Sequence, residues 1–247
     1  ASIFTGVAPA VHGIVGNYWY DQSQNKSVYC VKVGTDQNPS RLLVETLADE
    51  MKQFSNFKSK SFGISLKDRG AILPAGHLAD GAYWFNSKQG KWISNQYYQK
   101  DNPDWLKKFN GQDFEKSYLA NGWKLLKDST AYSESWPDRN AYENKLSKTT
   151  STVFPYDLKK AYTDIGWGVL KGVPQGNQMS ADIFKKLMQE ETLGRGEATD
   201  FVSLSFSATD YVGHRFGVQS VEVHDTYLRL DLTIANLLTF LDEEVGR

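Results

Sequence analysis

The chain has 247 residues and one cysteine, and its 28 lysines and arginines against 29 aspartates and glutamates leave a formal net charge of -1. That length supports one sizeable core with room for an inserted subdomain. The balanced charge gives no global field for nucleic acid or an anionic membrane, no run of residues has transmembrane length, and a lone thiol excludes an intrachain disulfide.

Residues 1–20 read as a short helix, a turn at Pro9 and an extended aromatic run, Asn17-Tyr-Trp-Tyr20. Ser27 to Val33 alternates as strands do and carries Cys30, read as a buried, inert thiol. Leu42, Leu43, Leu47, Met51 and Phe54 recur at helical spacing, which predicts a helix over 41–54 with Ser40 as its N-cap. Ser61 to Leu66 predicts a short buried strand, with Lys67 and Arg69 just past its carboxyl end. Ala82–Phe85 and Lys91–Ser94 predict a hairpin around Ser87-Lys-Gln-Gly90. From 95 to 174 the chain turns polar and rich in Tyr and Trp, and it reads as a cap inserted between core segments 1–94 and 175–247. Trp105, Trp123, Trp136 and Trp167 are read mainly as the core of that cap, while a sugar-binding platform would use the same residue types. Ser180 to Thr192 predicts an amphipathic helix capped by Ser180, and Phe201–Phe206 a buried return strand. Val221 to Val245 predicts one long helix with Tyr227, Leu230, Ile234, Leu237, Leu241 and Val245 as its buried stripe.

Directly after the return strand, Ser207-Ala-Thr-Asp210-Tyr-Val-Gly-His214 sets a carboxylate and an imidazole four residues apart. A hard carboxylate oxygen and an imidazole nitrogen together suit zinc, and ligands gather beyond the carboxyl ends of strands in open α/β sheets. A loop-capping Asp and a surface His give the same letters, and spacing alone favours that plainer reading. Lys67 and Arg69 suit a phosphate site or a solvated charge cluster, and Asn17 suits an Asx-type turn or an amide donor. His12, among apolar residues, reads as structural; His77 receives no role, and His224 reads as facing solvent or capping helix packing.

Three ordered segments carry a resemblance. They are Thr5-Gly-Val-Ala-Pro-Ala-Val-His-Gly-Ile-Val-Gly-Asn17, Ser65-Leu-Lys67-Asp-Arg69-Gly-Ala-Ile-Leu-Pro-Ala-Gly-His77, and Ser207 to Gly217 with its continuation Ser220 to Asp231. Together they resemble the alkaline phosphatase superfamily, specifically single-chain bacterial alkaline phosphatases related to the nucleotide pyrophosphatase/phosphodiesterases. The resemblance implies an α/β three-layer sandwich with an inserted cap. It also implies hydrolysis of phosphate monoesters with two zinc ions and a covalent phospho-enzyme formed on a Thr or Ser. By that match, Asp210 and His214 are two of the three protein ligands of one zinc. Asn17, Lys67 and Arg69 contact the phosphoryl group, and the Lys-Arg pair sets the preference for monoesters. Val212-Gly213 is expected to let the backbone bend so that both ligands reach one ion.

The family's first metal-binding Asp and its nucleophile correspond to positions just before Ala1, and further metal ligands correspond to positions after Arg247. Neither Ser2 nor Thr5 matches the nucleophile, so no catalytic residue is assigned within the chain. The expectation is a central slice of the fold, incomplete at both termini and inactive by itself. Small phosphorylated substrates and a periplasmic or secreted parent follow from the resemblance, without nucleic acid or membrane insertion. Two alternatives stand beside it: a phosphodiesterase or nucleotide pyrophosphatase of the same superfamily, and a non-catalytic protein that binds through the aromatic cap.

Overall fold

The computed structural model describes residues 1–99 and 101–246. Two short helices, α1 (Ser2–Thr5) and α2 (Pro9–His12), open the chain, and Pro9 starts a helix where a turn was expected. Proline at the first helical position loses nothing, because its missing amide would have had no partner there. β1 (Tyr18–Asp21) and β2 (Lys26–Tyr29) pair antiparallel, and β3 (Lys32–Val33) pairs with β4 (Asp36–Gln37). α3 covers Leu47–Phe54, several residues shorter than the periodic window 41–54. Its start is fixed by a buried reciprocal cap in which Asp49 N donates to Thr46 Oγ1 at 3.2 Å and Thr46 N donates to Asp49 Oδ2 at 2.8 Å. Ser40 caps nothing; the Arg41 guanidinium lies 5.8 Å from the Trp19 ring centroid and its Nε donates to the Lys32 carbonyl.

The main sheet has the order β7-β6-β5-β8, from β5 (Ser61–Ser65), β6 (Gly81–Asn86), β7 (Lys91–Ile93) and β8 (Phe201–Ser205). β5 runs parallel to both β6 and β8, with Ser65 opposite Ser205. All five residues of β5 are buried, as a strand covered on both faces requires. β8 holds the edge of this sheet and is half-buried, so its apolar run overstated its burial. α4 (Asp68–Ala75) lies on β5 at very short range. A Cβ on Gly63 would stand 2.1 Å from the Ala71 carbonyl oxygen, and one on Gly70 would stand 2.5 Å from Ser65 Oγ. Those two glycines set where α4 begins, and hence where Lys67 and Arg69 lie.

Between α5 (Asp104–Asn110) and α6 (Leu158–Ile165) the chain makes a π-helical turn at Glu115–Leu119, a 3-10 turn at Ser129–Tyr132 and an isolated bridge pairing Trp123 with Tyr156. α7 runs Gln175–Glu190 and starts before the expected cap. Ser180 is inside it, its hydroxyl donating to the Gly176 carbonyl one turn back at 2.9 Å. α8 (Ala208–Phe216) and α9 (Val221–Glu244) follow β8. α9 does not bury the expected stripe: Tyr227 is 57% exposed, Ile234 39% and Val245 43%, and of the six only Leu237 is buried. The buried face is instead Val221, Glu222, Val223, Asp225, Thr226, Thr233 and Leu237. Asp225 sets that rotation by accepting from Trp123 Nε1, Leu126 N, Tyr132 OH and Arg229 Nε at 2.6–2.7 Å.

The chain forms two compact units. Unit one is Ala1–Phe85, Trp92–Lys107 and Leu187–Ser205; unit two is Asn86–Lys91, Lys108–Lys186 and Phe206–Arg247.

Candidate active site

In unit one, Lys67 caps α4 from an extended conformation, and its amide donates to Ser65 Oγ at 3.0 Å. One turn of chain therefore carries Lys67 and Arg69 together off the carboxyl end of β5. Arg69 Nη1 donates to the Tyr29 hydroxyl at 3.2 Å, and that hydroxyl donates in turn to Asp68 Oδ1 at 2.5 Å. The arrangement orients the guanidinium through an acid–phenol pair. Burial, and then the hydrogen bond to Asp68, raises the Tyr29 phenol well above its ordinary range, so it stays a donor at any working pH. Tyr29 pairs with Tyr18 across the β1–β2 ladder, and the next amide, Cys30 N, donates to the Asn17 carbonyl at 3.0 Å. Exposed Asn17 is thus bound to the same hairpin that holds Arg69. Cys30 is 1% exposed, and burial pushes its thiol up to about 11, so it is no nucleophile.

His12 is structural. Its Nδ1 accepts from the Ile14 amide at 3.1 Å, which leaves the proton on Nε2, 2.9 Å from Ser2 Oγ. Burial, then the nearby amino terminus, lowers its pKa.

In unit two, Asp210 and His214 stand on α8, a regular helix where a bent loop was expected. Gly213 therefore supplies no bend; the i, i+4 spacing alone brings the two side chains onto one face. His214 Nε2 lies 3.4 Å from Asp210 Oδ1, and both side chains are exposed. They open onto a hollow of about 540 Å³ walled by Phe206, Thr209, Val218, Val223 and Tyr227. The first turn of α8 is pinned from α7 by Asn177, which is 1% exposed. Its amide oxygen accepts from Ala208 N at 3.1 Å and its amide nitrogen donates to Thr209 Oγ1 at 2.9 Å. Two donors bound to one tetrahedral zinc at roughly 2.0–2.2 Å stand about 3.4 Å apart. The observed separation fits that geometry. Among the described residues no three of His, Cys, Asp and Glu are grouped to hold a metal.

His224 on α9 bonds through Nδ1 to Ser135 Oγ at 3.0 Å and packs edge-on to Tyr132, a packing role. Of the tryptophans expected in a cap, Trp105 and Trp123 are buried, while Trp136 is exposed. Sequence reasoning missed Tyr29, Asp68 and Asn177. The acid between Lys67 and Arg69 was the one local signal; the other two act across long sequence separations.

The family model for type I phosphodiesterase / nucleotide pyrophosphatase matches residues 1–247. A "Calcium-transporting ATPase" of Myroides odoratus is 42% identical over the whole chain, which covers 47% of that protein. The alkaline phosphatase PhoV of Synechococcus elongatus is 40% identical, again over the whole chain and 47% of its own length. The crystal structure of the alkaline phosphatase PafA superposes with a TM-score of 0.95 at 40% identity, over all of this chain and 50% of that one. A mutant of PafA with a threonine changed to serine, and an asparagine, a lysine and an arginine changed to alanine, gives the same TM-score at 38% identity. The chain spans about half the length of these proteins, and its fold is the α/β fold of the alkaline phosphatases. It belongs to the type I phosphodiesterase / nucleotide pyrophosphatase family.

Proposed function

We propose that this chain works as part of a zinc-dependent phosphate monoester hydrolase, an alkaline phosphatase that turns over through a covalent phospho-enzyme. The observation that carries the reading is the Asp210–His214 pair, with its 3.4 Å separation on the helix that follows β8. These residues would hold one of two zinc ions, whose chemistry when bound is to polarise phosphoryl oxygens and neutralise developing charge. Asn17 donates its amide to a phosphoryl oxygen. Lys67 and Arg69 face the additional charge that a monoester carries and a diester lacks, and so favour monoesters. The PafA mutant supports these roles, because its substituted lysine and arginine are separated by a single residue, as Lys67 and Arg69 are. No residue of the chain is assigned as the nucleophile.

The same reading keeps 1–94 and 175–247 as core and 95–174 as an inserted cap. Its substrates are small phosphorylated molecules, with no nucleic acid and no membrane insertion. No helix among the described residues is long and apolar enough to cross a membrane, and the periplasmic or secreted location comes from the family resemblance alone.

The test uses the longer polypeptide, with zinc content and both ester classes measured. Replacing Lys67 and Arg69 by Ala should lower monoester turnover more than diester turnover, at a cost on the order of 2 kcal/mol for each charge-assisted bond lost. His214→Ala should lower bound zinc. Equal losses on both esters would show that the pair binds phosphate generally, and unchanged zinc would remove the metal assignment.

A further inference from the structure

Asp210 and His214 are both exposed, so the course of α8, rather than burial of their own side chains, sets where they stand. α8 is held from behind at both ends. At its last turn Phe216 is buried against Trp123 and Tyr156, with ring centroids 6.1 and 5.7 Å away. Beside it, Arg215 Nη1 donates to the Lys145 and Leu146 carbonyls at 2.8 and 2.5 Å. At the first turn, Asn177 of α7 bonds to two successive residues, Ala208 and Thr209, and the next residue is Asp210.

An asparagine is a costly choice at that place. It shares the buried face of α7 with Ser180, Ala181 and Phe184, and a buried amide is stable only when its donors and acceptor are matched. Its two contacts have one possible polarity. The Ala208 amide can only donate, so the group facing it at 3.1 Å is the Asn177 carbonyl oxygen. The group facing Thr209 at 2.9 Å is then the side-chain amide nitrogen, which can only donate, and the Thr209 hydroxyl accepts. An apolar residue of the same size would match neither contact. Together the two bonds fix the rotation of α8 about its axis and its height along it. Asp210 follows one residue on, and His214 one turn further.

We propose that Asn177 is a positioning residue for a zinc ion held by Asp210 and His214: its amide sets the turn that presents the pair, and losing it weakens metal binding in a protein that still folds. The role rests on the zinc site proposed at that pair. Groups that support a metal's ligands from behind commonly carry roughly tenfold to hundredfold in affinity, because ligands already in place lose less freedom on binding. Asn177 acts through the backbone of α8 and not by bonding a ligand, which puts its effect at the lower end, about tenfold.

The test is the zinc affinity of the longer polypeptide, measured by competition with a chelator at a temperature where circular dichroism shows every variant folded. It is read on the zinc that His214→Ala weakens. Asn177→Ala should weaken that zinc about tenfold. Asn177→Asp still accepts from Ala208 and takes the Thr209 proton, and should recover most of the affinity. Ser180→Ala removes a buried hydroxyl that donates to Gly176 of its own helix, and should bind zinc as the parent does. Parent-like affinity in Asn177→Ala, or an equal loss in Ser180→Ala, would overturn the positioning role. His214→Ala separates the two readings. If it binds as the parent does, the metal assignment itself falls; if it weakens zinc while Asn177→Ala does not, only the role of Asn177 falls. If Asn177→Ala does not fold, Thr209→Val and Thr209→Ser decide. Loss of affinity on Val with recovery on Ser supports the role, and parent-like affinity in both overturns it.

Discussion

Arg69 is held by a tyrosine forty positions away in sequence, and this cross-link is where the local chemistry can be tried. If Arg69 contacts the phosphoryl group, Tyr29 acts on the reaction only through it. Tyr29→Phe removes the hydroxyl that accepts from Arg69 and donates to Asp68, and leaves both charges in place. In the longer polypeptide it should lower monoester kcat/KM about fivefold to tenfold, roughly 1 kcal/mol, with a smaller loss on diesters. Adding Arg69→Ala should bring little further loss beyond that of Arg69→Ala alone, because the two act as a unit. Full additivity in that double-mutant cycle would show that Tyr29 supports only the fold. The sequence made Lys67 and Arg69 legible because they stand together after a recognisable apolar strand. Tyr29 was legible only as a strand residue, since nothing within its own window names a partner on another element.

Among the elements, strands were easier to read than helix ends and helix faces. β5 lies within the run that predicted it, because a continuous apolar run of that length has few other uses. α3 was misjudged at its start because the Thr46–Asp49 cap falls inside a window whose leucines keep helical spacing on both sides of it. The buried face of α9 was hidden for a different reason: its determinant, Asp225, takes its donors from Trp123 and Tyr132, about a hundred residues earlier. Hydrophobic periodicity cannot report a helix turned by polar anchors. Asp225→Asn should therefore destabilise the chain out of proportion to its size, since Arg229 loses its charge partner and one of several buried donors is left unmatched. A cost of roughly 3 kcal/mol is expected for breaking a buried pair of this kind. Urea unfolding followed by tryptophan fluorescence measures it, and a loss below about 1 kcal/mol would show that the network is redundant.

For the molecule as a whole, the decisive quantity is how much of a catalytic constellation one chain carries. The proposed site draws on Asp210 and His214 for metal and on Asn17, Lys67 and Arg69 for phosphate, and among the described residues no third metal-type ligand is grouped with the first two. Groups that act as a unit do not give proportionate partial rates. The purified 247-residue chain should thus show no zinc-dependent hydrolysis of phosphate monoesters above buffer. Steady turnover by a chain of confirmed mass would require a nucleophile within these residues. The family was legible from three motifs because their order survives along the whole sequence, while the donors' spacing became visible only once α8 was seen to be a helix.

The neighbouring strands β5 and β8 also bear on how the chain reaches this form. Their alignment is locked at one end by Lys60 N donating to the Asp200 carboxylate, a contact that spans 140 residues of sequence. Closing so long a loop costs entropy before any ladder bond returns it, and folding slows as the mean separation of contacts grows. β8 can join β5 only after most of the chain has been synthesised and has collapsed. Until then one edge of a fully buried strand stands open to any other chain with a free edge, so the time spent before residue 200 arrives sets the yield of soluble protein.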